Sequence, residues 1–423
     1  MRKPCIGVYA HVSSLDDSFG GVEVFTTRLV SQLAKLGHPV VLHALASTLG
    51  TAVHGAREPS PGRDGVTVFH PRSGPGFDGC VRENAEVSLR HDEQIIFALG
   101  IRDPHVYQVA LETGRRLGRP VVSFVYNSLN ERLFRAQLAN RTNYLLGVAS
   151  EEERTEFLAA THDSLRRTLR ASDLVVVPTD YMRGEAAGVL GDTLAAHTLV
   201  NFHGVPTGEF TLVPRPEYRG TLLHLSRMMY PQALSKNFLW SCRLIDRLHQ
   251  RDGAVERLTL VGAGRDDHVV RDYAGRLGAA GAVDFAGAVP QHDLPRVYAQ
   301  SDVLLCPSMM ESSCQSLLEA LLTGCVPVVL DFGGSAEVMR RLGLKDLLVS
   351  PVEAQEGPFT TVVPRIEHAV EIITMVRQEW DRVTRLVARA AATAAEELSL
   401  ERTTDELLGE VRRRGLLGAG GSR

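Results

Sequence analysis

The chain has almost no excess of charge. Its 46 Lys and Arg stand against 50 Asp and Glu, for a formal net charge of −4. That leaves no electrostatic footprint for nucleic acid. Paired cysteines are also missing: Cys5, Cys80, Cys242, Cys306, Cys314 and Cys325 are scattered over 423 residues without a C-x-x-C spacing, which argues against a disulfide framework and against a zinc site. Cys5 and Cys306 fall within apolar runs, where a thiol behaves as a small hydrophobe. No H-x-x-H pair or strand-terminal D-x-D points to a metal, and the loop pairs Asp16-Asp17 and Asp266-Asp267 read as solvated. No apolar run approaches the length of a membrane span. The chain enters a strand at Cys5, so the expectation is a cytoplasmic protein without a signal peptide. Arg132, Arg135, Arg141, Arg154, Arg166, Arg167 and Arg170 cluster along one stretch, but Glu131 and Glu151 to Glu153 dilute them, and a membrane-surface role is not favoured.

What is present is a soluble-type composition, 44% hydrophobic and 23% charged, with length for two or three domains. A strand over Cys5 to Ala10 leads through a loop holding His11, Gly20 and Gly21 into a helix with apolar positions at Val24, Leu29, Val30, Leu33 and Leu36. The next strand, Val40 to Leu45, completes a βαβ unit. Residues 46–65 and 73–90 are rich in Gly, Pro and Ser and read as irregular loops. Strands follow at Gln94 to Leu99, Pro120 to Val125 and Leu174 to Val177, with a polar helical excursion over 128–170. A second series begins at Thr221 to Leu225 and continues through Leu258 to Val261, Val283 to Phe285, Val303 to Cys306 and Val326 to Leu330. Ala171-Ser172-Asp173-Leu174 is echoed by Gln300-Ser301-Asp302-Val303. The echo points to two similar α/β domains, each with a parallel sheet, and a cleft between such domains is a usual ligand site.

The densest chemistry lies at Glu311-Ser312-Ser313-Cys314-Gln315-Ser316-Leu317-Leu318-Glu319. A buried strand stops at Pro307, Glu311 ends the loop, and Glu319 lies inside the following helix. Ser312 with Gln315 reads as a capping box, and Gly324 as the stop. Backbone N–H groups of Ser313 to Ser316 would face an anion, while the two carboxylates, which only accept hydrogen bonds, suit sugar hydroxyls. Arg227 and Lys236 follow the first strand of the second series. Two cations at the carboxyl end of a sheet suit a diphosphate.

These residues, in this order, resemble the retaining glycosyltransferases of family 4, which have the B-type glycosyltransferase fold. Leu225-Ser226-Arg227 with Lys236 resembles the family's Arg…Lys pair on the donor diphosphate. Leu260-Val261-Gly262-Ala263-Gly264 resembles its strand-to-glycine turn, and Glu311-x7-Glu319 with Gly324 and Gly333-Gly334 its signature core. Gly20-Gly21 resembles a phosphate-approach loop, Asn201-x-His203-Gly204-Val205 the interdomain segment, and Ser399-Leu400-Glu401-Arg402 the kink before a helix that returns to the first domain. Two departures stand out. The family usually has Glu-Gly-Phe-Gly where this chain has Glu311-Ser312-Ser313-Cys314, and a His where this chain has Tyr126, then Asn127.

The resemblance implies two Rossmann-like domains facing across a cleft: residues 1–205 with a returning helix over 399–415, and residues 206–398. It implies a nucleotide-sugar donor as substrate, with no cofactor and no metal, and a hydroxyl acceptor on a small molecule or glycan. Glu311, Arg227 and Lys236 would act in catalysis. Gly20, Gly21, Gly262, Ser312, Ser313, Ser316 and Glu319 would hold the donor, Glu319 on the ribose diol and Glu311 on the sugar. His11, His105, Tyr126 and Asn127 are candidates for the acceptor side. A same-fold coupling enzyme with a cyclitol donor and a non-catalytic nucleotide-sugar sensor are the alternatives.

Overall fold

The computed structural model describes residues 3–11, 21–45, 57–61, 65–71, 76–100, 104–126, 151–191, 197–228, 236–252, 256–264, 267–309, 311–356 and 359–417. They form two compact units. One holds the described residues up to Gly204 together with those from Leu400 onward; the other holds those from Val205 to Ser399.

The first unit is built on an eight-stranded sheet. Its strands are β1 (Cys5–Ala10), β2 (Val40–Ala44), β3 (Arg57–Pro61), β4 (Val66–His70), β5 (Glu93–Gly100), β6 (Val121–Val125), β7 (Leu174–Val177) and β8 (Thr198–Val200). The spatial order is β3-β4-β2-β1-β5-β6-β7-β8, parallel except where β3 runs antiparallel to β4. The order reverses between β1 and β5. The helices are α1 (Gly21–Lys35), α2 (Gly76–Arg90), α3 (Pro104–Leu117), α4 (Glu151–Arg170) and α5 (Asp180–Leu190). Side chains alternate across the sheet: Ile6, Val8 and Ala10 enter one apolar cluster with Leu29 and Leu33 of α1, while Tyr9 enters the other with Val106 and Val109 of α3. Burial on both faces is what a parallel sheet requires.

The two stretches expected to be irregular contain regular structure. Residues 57–61 form β3, an edge strand, which is where a sheet tolerates prolines such as Pro59 and Pro61. Residues 76–90 form α2, whose buried stripe is Cys80, Val81, Asn84, Val87 and Ser88. Two polar members hide its period in the sequence. They are buried because they serve His43 on β2: its Nδ1 meets Asn84 Oδ1 at 2.7 Å and its Nε2 meets Glu93 Oε1 at 2.8 Å, and Ser88 donates to Glu93 Oε2 at 2.8 Å.

The second unit has a six-stranded parallel sheet of β9 (Thr221–Leu225), β10 (Arg257–Val261), β11 (Val283–Gly287), β12 (Val303–Cys306), β13 (Val326–Leu330) and β14 (Leu348–Val349), in the order β11-β10-β9-β12-β13-β14. A hairpin of β15 (Pro351–Glu356) and β16 (Phe359–Pro364) follows. The helices are α6 (Phe238–Asp252), α7 (Asp267–Ala274), α8 (Leu294–Gln300), α9 (Gln315–Leu322), α10 (Gly333–Arg341), α11 (Ile366–Gln378) and α12 (Trp380–Glu397). The repeated Ser-Asp has one structural job in both units. Asp173 accepts the N–H of Val121 at 2.8 Å, and Asp302 accepts those of Arg219 at 2.8 Å and Thr221 at 3.0 Å, so each carboxylate clips the start of the neighbouring strand.

The last helix, α13 (Leu400–Arg413), belongs to the first unit. Leu407, Leu408 and Val411 join the cluster of Ile6, Val8 and Leu29. Gly204 allows the return: a Cβ there would lie 2.2 Å from Thr403 Oγ1 and 2.4 Å from the Leu400 Cα. Asn201 Nδ2 secures the same place by donating to the Thr403 carbonyl at 2.9 Å.

Candidate functional site

In the second unit the strand order reverses between β9 and β12. Such a reversal, at the carboxyl ends of the strands, is where open α/β sheets bind ligands. The loop after β9 carries Arg227 and Lys236; the loop after β12 carries Glu311, Ser312 and Ser313.

Lys236 and Glu311 are brought into direct contact. The Lys236 ammonium donates to Glu311 Oε1, with the two side chains 26% and 17% exposed. Burial works against the ammonium, but the Glu311 charge and hydrogen bond outweigh it and hold its pKa above the ordinary value. Neighbouring backbone fixes Glu311 in turn. Gly334 donates its N–H to the Glu311 carbonyl at 2.9 Å, and Gly333, at φ +73°, passes so close that a Cβ would lie 3.1 Å from that carbonyl oxygen.

Gly262 does for the Arg227 loop what Gly333 does for Glu311. At φ +138° it lies against the Ser226 carbonyl, where a Cβ would stand 1.8 Å from the oxygen. Met228 N–H donates to Ala263 O at 3.2 Å, so the loop after β9, which carries Arg227, is stitched to the loop after β10. Gly262 therefore contributes through close backbone approach.

Glu319, on α9, is buried at 3% exposure. Its Oε2 accepts from the Tyr298 hydroxyl at 2.9 Å and its Oε1 accepts from Gln291 Nε2 at 3.2 Å. Burial first, then the Glu319 charge, pushes the Tyr298 phenol well above its usual pKa and keeps it a donor. Sequence reasoning missed Gln291, which carries no motif signal. It also missed Asn237, whose place directly after Lys236 was the available clue.

The N-cap expected at Ser312 lies elsewhere. Helix α9 begins at Gln315 with Cys314 as its N-cap, and Cys314 adopts the left-handed region at φ +53° without a side-chain cap hydrogen bond. The turn into the helix therefore comes two residues after the expected serine cap, at a left-handed residue. Ser313 is buried, Ser312 half-buried, and Ser316 Oγ lies 3.3 Å from Cys314 Sγ.

The described candidates of the first unit lie on separate elements. Gly21 opens α1 with open space at its Cβ position, and Gly20 and Asn127 lie outside the described residues. His11 follows β1, its Nδ1–H donating to the Leu45 carbonyl at 3.1 Å. His105 lies in the first turn of α3 with its ring 6.1 Å from that of Phe77. Tyr126 is 4% exposed and packs among Phe25, at 5.1 Å between ring centroids, and His203, at 4.6 Å. Its hydroxyl has no hydrogen-bond partner among the described residues, and burial pushes its pKa well up.

Comparison with known proteins bears on the family and the fold. Residues 219–357 match the family model described as Glycosyl transferases group 1. The GDP-mannose-dependent alpha-(1-6)-phosphatidylinositol monomannoside mannosyltransferase of Mycobacterium tuberculosis is 27% identical over 223 residues, covering 49% of this chain and 56% of that protein. The chain thus spans about half the length of the curated relatives it matches. Among solved structures, sucrose-phosphate synthase from Thermosynechococcus elongatus is similar at a TM-score of 0.69 and 15% identity, over 97% of this chain and 99% of that one. Anabaena HepE in complex with UDP-glucose is similar at a TM-score of 0.66 and 16% identity, over 96% and 99%. At these identities the structures establish the fold.

Proposed function

We propose that this chain, which belongs through residues 219–357 to the group 1 glycosyltransferases, is a retaining glycosyltransferase. It moves a sugar from a nucleotide-sugar donor to a hydroxyl of a small-molecule or glycan acceptor. The observation that carries this reading is the meeting of Lys236 and Glu311 at the point where the strand order reverses, with Arg227 on the β9 loop and the first turn of α9 at the same end of the sheet.

In this reading the donor diphosphate takes its place against Arg227, Lys236 and the α9 N-terminus, where cations and helix N–H groups favour negative charge. Glu311 accepts from hydroxyls of the transferred sugar, and Glu319 accepts from the ribose diol, exchanging its hydrogen bond from Gln291. The bond between the anomeric carbon and the diphosphate oxygen breaks, and a bond to the acceptor oxygen forms on the same face. The acceptor proton leaves with the departing diphosphate. The protein contributes by stabilising charge on the leaving group and by positioning. Six free, buried thiols suit a reducing compartment such as the cytoplasm.

GDP-mannose, named for the mycobacterial relatives, and UDP-glucose, bound in the Anabaena structure, are the first donors to test. The purified protein is incubated with each and a panel of hydroxyl acceptors, and free nucleoside diphosphate and the anomeric configuration of the product are measured. Release of nucleoside diphosphate with an α-linked product from an α-linked donor is expected. A donor that binds but is never turned over would favour a sensor instead.

A further inference from the structure

Two thiols lie inside the loop that holds Glu311. Cys306 is the last residue of β12 and Cys314 the N-cap of α9, and their sulfurs are 3.9 Å apart. Both are buried. The pair lies on the two segments that lead to and from Glu311. We propose that Cys306 and Cys314 are a modification site, closing reversibly to an intramolecular disulfide that withdraws the Glu311–Ser313 loop from its donor-binding geometry.

The geometry assigns each thiol a part. Cys306 is held by β12, whose ladders to β9 and β13 leave it little freedom. Cys314 is on a loop, in left-handed backbone with no side-chain cap, and is the movable partner. A hydroperoxide is a small enough oxidant for a buried pair. The Cys314 thiolate attacks one peroxide oxygen, the O–O bond breaks, and hydroxide leaves, giving a sulfenic acid. The Cys306 sulfur then attacks the Cys314 sulfur, the S–O bond breaks, and water leaves. In sum, two thiols and one hydrogen peroxide give one disulfide and two waters; a dithiol reverses it by exchange. Bonded sulfurs stand about 2.05 Å apart, so closure draws Cys314 toward β12. Ser312 and Ser313 are its immediate chain neighbours and must follow. Tight donor binding is thereby reserved for reduced protein. The effect on binding rests on the function proposed above; formation of the bond does not.

The test treats full-length protein with hydrogen peroxide, then with dithiothreitol. Peptide mapping by mass spectrometry locates the bond, and nucleoside diphosphate release is measured in each state. We expect a Cys306–Cys314 link, a fall of about tenfold in kcat/KM, worth about 1.4 kcal/mol, and recovery with dithiothreitol. Cys314→Gly, which suits the left-handed backbone, and Cys306→Ala should each abolish the oxidised-to-reduced difference, whatever their reduced activity. Oxidation that appears only at other cysteines, or as sulfinic acid without a link, overturns the site. A link with unchanged kcat/KM overturns its effect on the donor loop. Should neither state turn over any donor, the proposed function fails while mapping still decides the modification.

Discussion

Asn237 Nδ2 donates to the Pro307 carbonyl at 2.5 Å, joining the loop that carries Lys236 to the end of β12 that leads to Glu311. Asn237 is buried and left-handed, at φ +57°. In the second unit, the described non-glycine residues with positive φ are Asn237 and Cys314. Asn237 directly follows Lys236, and Cys314 closes the loop that follows Glu311.

Two substitutions separate the tie from the strain. Asn237→Gly keeps the backbone comfortable and removes the donor, leaving the Pro307 carbonyl without that partner, at about 1 kcal/mol. Asn237→Ala adds the cost of a Cβ in left-handed backbone, about 1 kcal/mol more. Denaturation midpoints in urea should fall in that order, with a raised KM for donor in both. Equal midpoints for wild type and Asn237→Gly would mean that the tie does not hold the loops.

The two carboxylates should separate by ligand. Nucleoside diphosphate carries the ribose but not the sugar, so Glu319→Ala should weaken its binding by about 1.5–3 kcal/mol, while Glu311→Ala should change it less. Isothermal calorimetry distinguishes them, and an equal loss in both variants refutes the assignment. Glu319→Ala also strands the Tyr298 hydroxyl, which is fully buried. Tyr298→Phe in the same background should recover part of the lost stability without recovering ribose binding.

Truncation after Leu398 should destabilise the first unit. Leu407, Leu408 and Val411 are each at most 2% exposed within its cluster, and burial of one such side chain is worth about 1.5–3 kcal/mol. Limited proteolysis should then cut first within residues 1–204. Unchanged melting of the truncated protein would remove this helix from the fold's stability.

The sequence made strands legible where burial is continuous. All six residues of β1 and all four of β12 are buried, so composition alone marks them. The Ser-Asp echo was visible because Asp173 and Asp302 perform the same clip in two sheets. Helix α2 was illegible because Asn84 and Ser88 occupy its inner stripe, and their reason to be buried, His43 with Glu93, is far away in sequence. The cap of α9 was misread because Ser312 fits the usual preference, whereas the turn is made by left-handed Cys314. That Lys236 and Glu311 touch could not be read at all, since it depends on which strands become neighbours.

Two buried histidines give acid sensitivity a sign. Burial pushes His203 down to about 3; burial, with help from the Lys236 charge, does the same to His224, also to about 3. Each is neutral when folded and takes a proton when unfolded below about pH 6.5. Stability is therefore full above about pH 6.5 and falls as pH drops toward 3, by up to about 1.4 kcal/mol per pH unit for each histidine. His203→Gln should flatten the stability–pH curve over that window. An unchanged slope would show that His203 ionises in the folded protein.

Turnover should not depend on a divalent metal. A nucleoside diphosphate leaving group develops charge that must be balanced, and Arg227 and Lys236 follow β9 at the end of the sheet where the α9 N-terminus also lies. A unit charge about 4 Å from an opposite charge is worth about 4 kcal/mol at an effective dielectric of about 20, so two cations and a helix terminus can supply what a Mg²⁺ ion would. Lys236 already spends its charge on Glu311 in the unliganded protein, so donor binding must draw it partly away, and Glu311 then turns to the sugar. Arg227→Ala should lower kcat/KM by about a hundredfold, or about 2.7 kcal/mol. Lys236→Ala should do at least as much, because it also leaves Glu311 without its cation. Activity should survive excess EDTA; loss with EDTA and rescue by Mg²⁺ or Mn²⁺ would transfer the leaving-group role from these side chains to an ion.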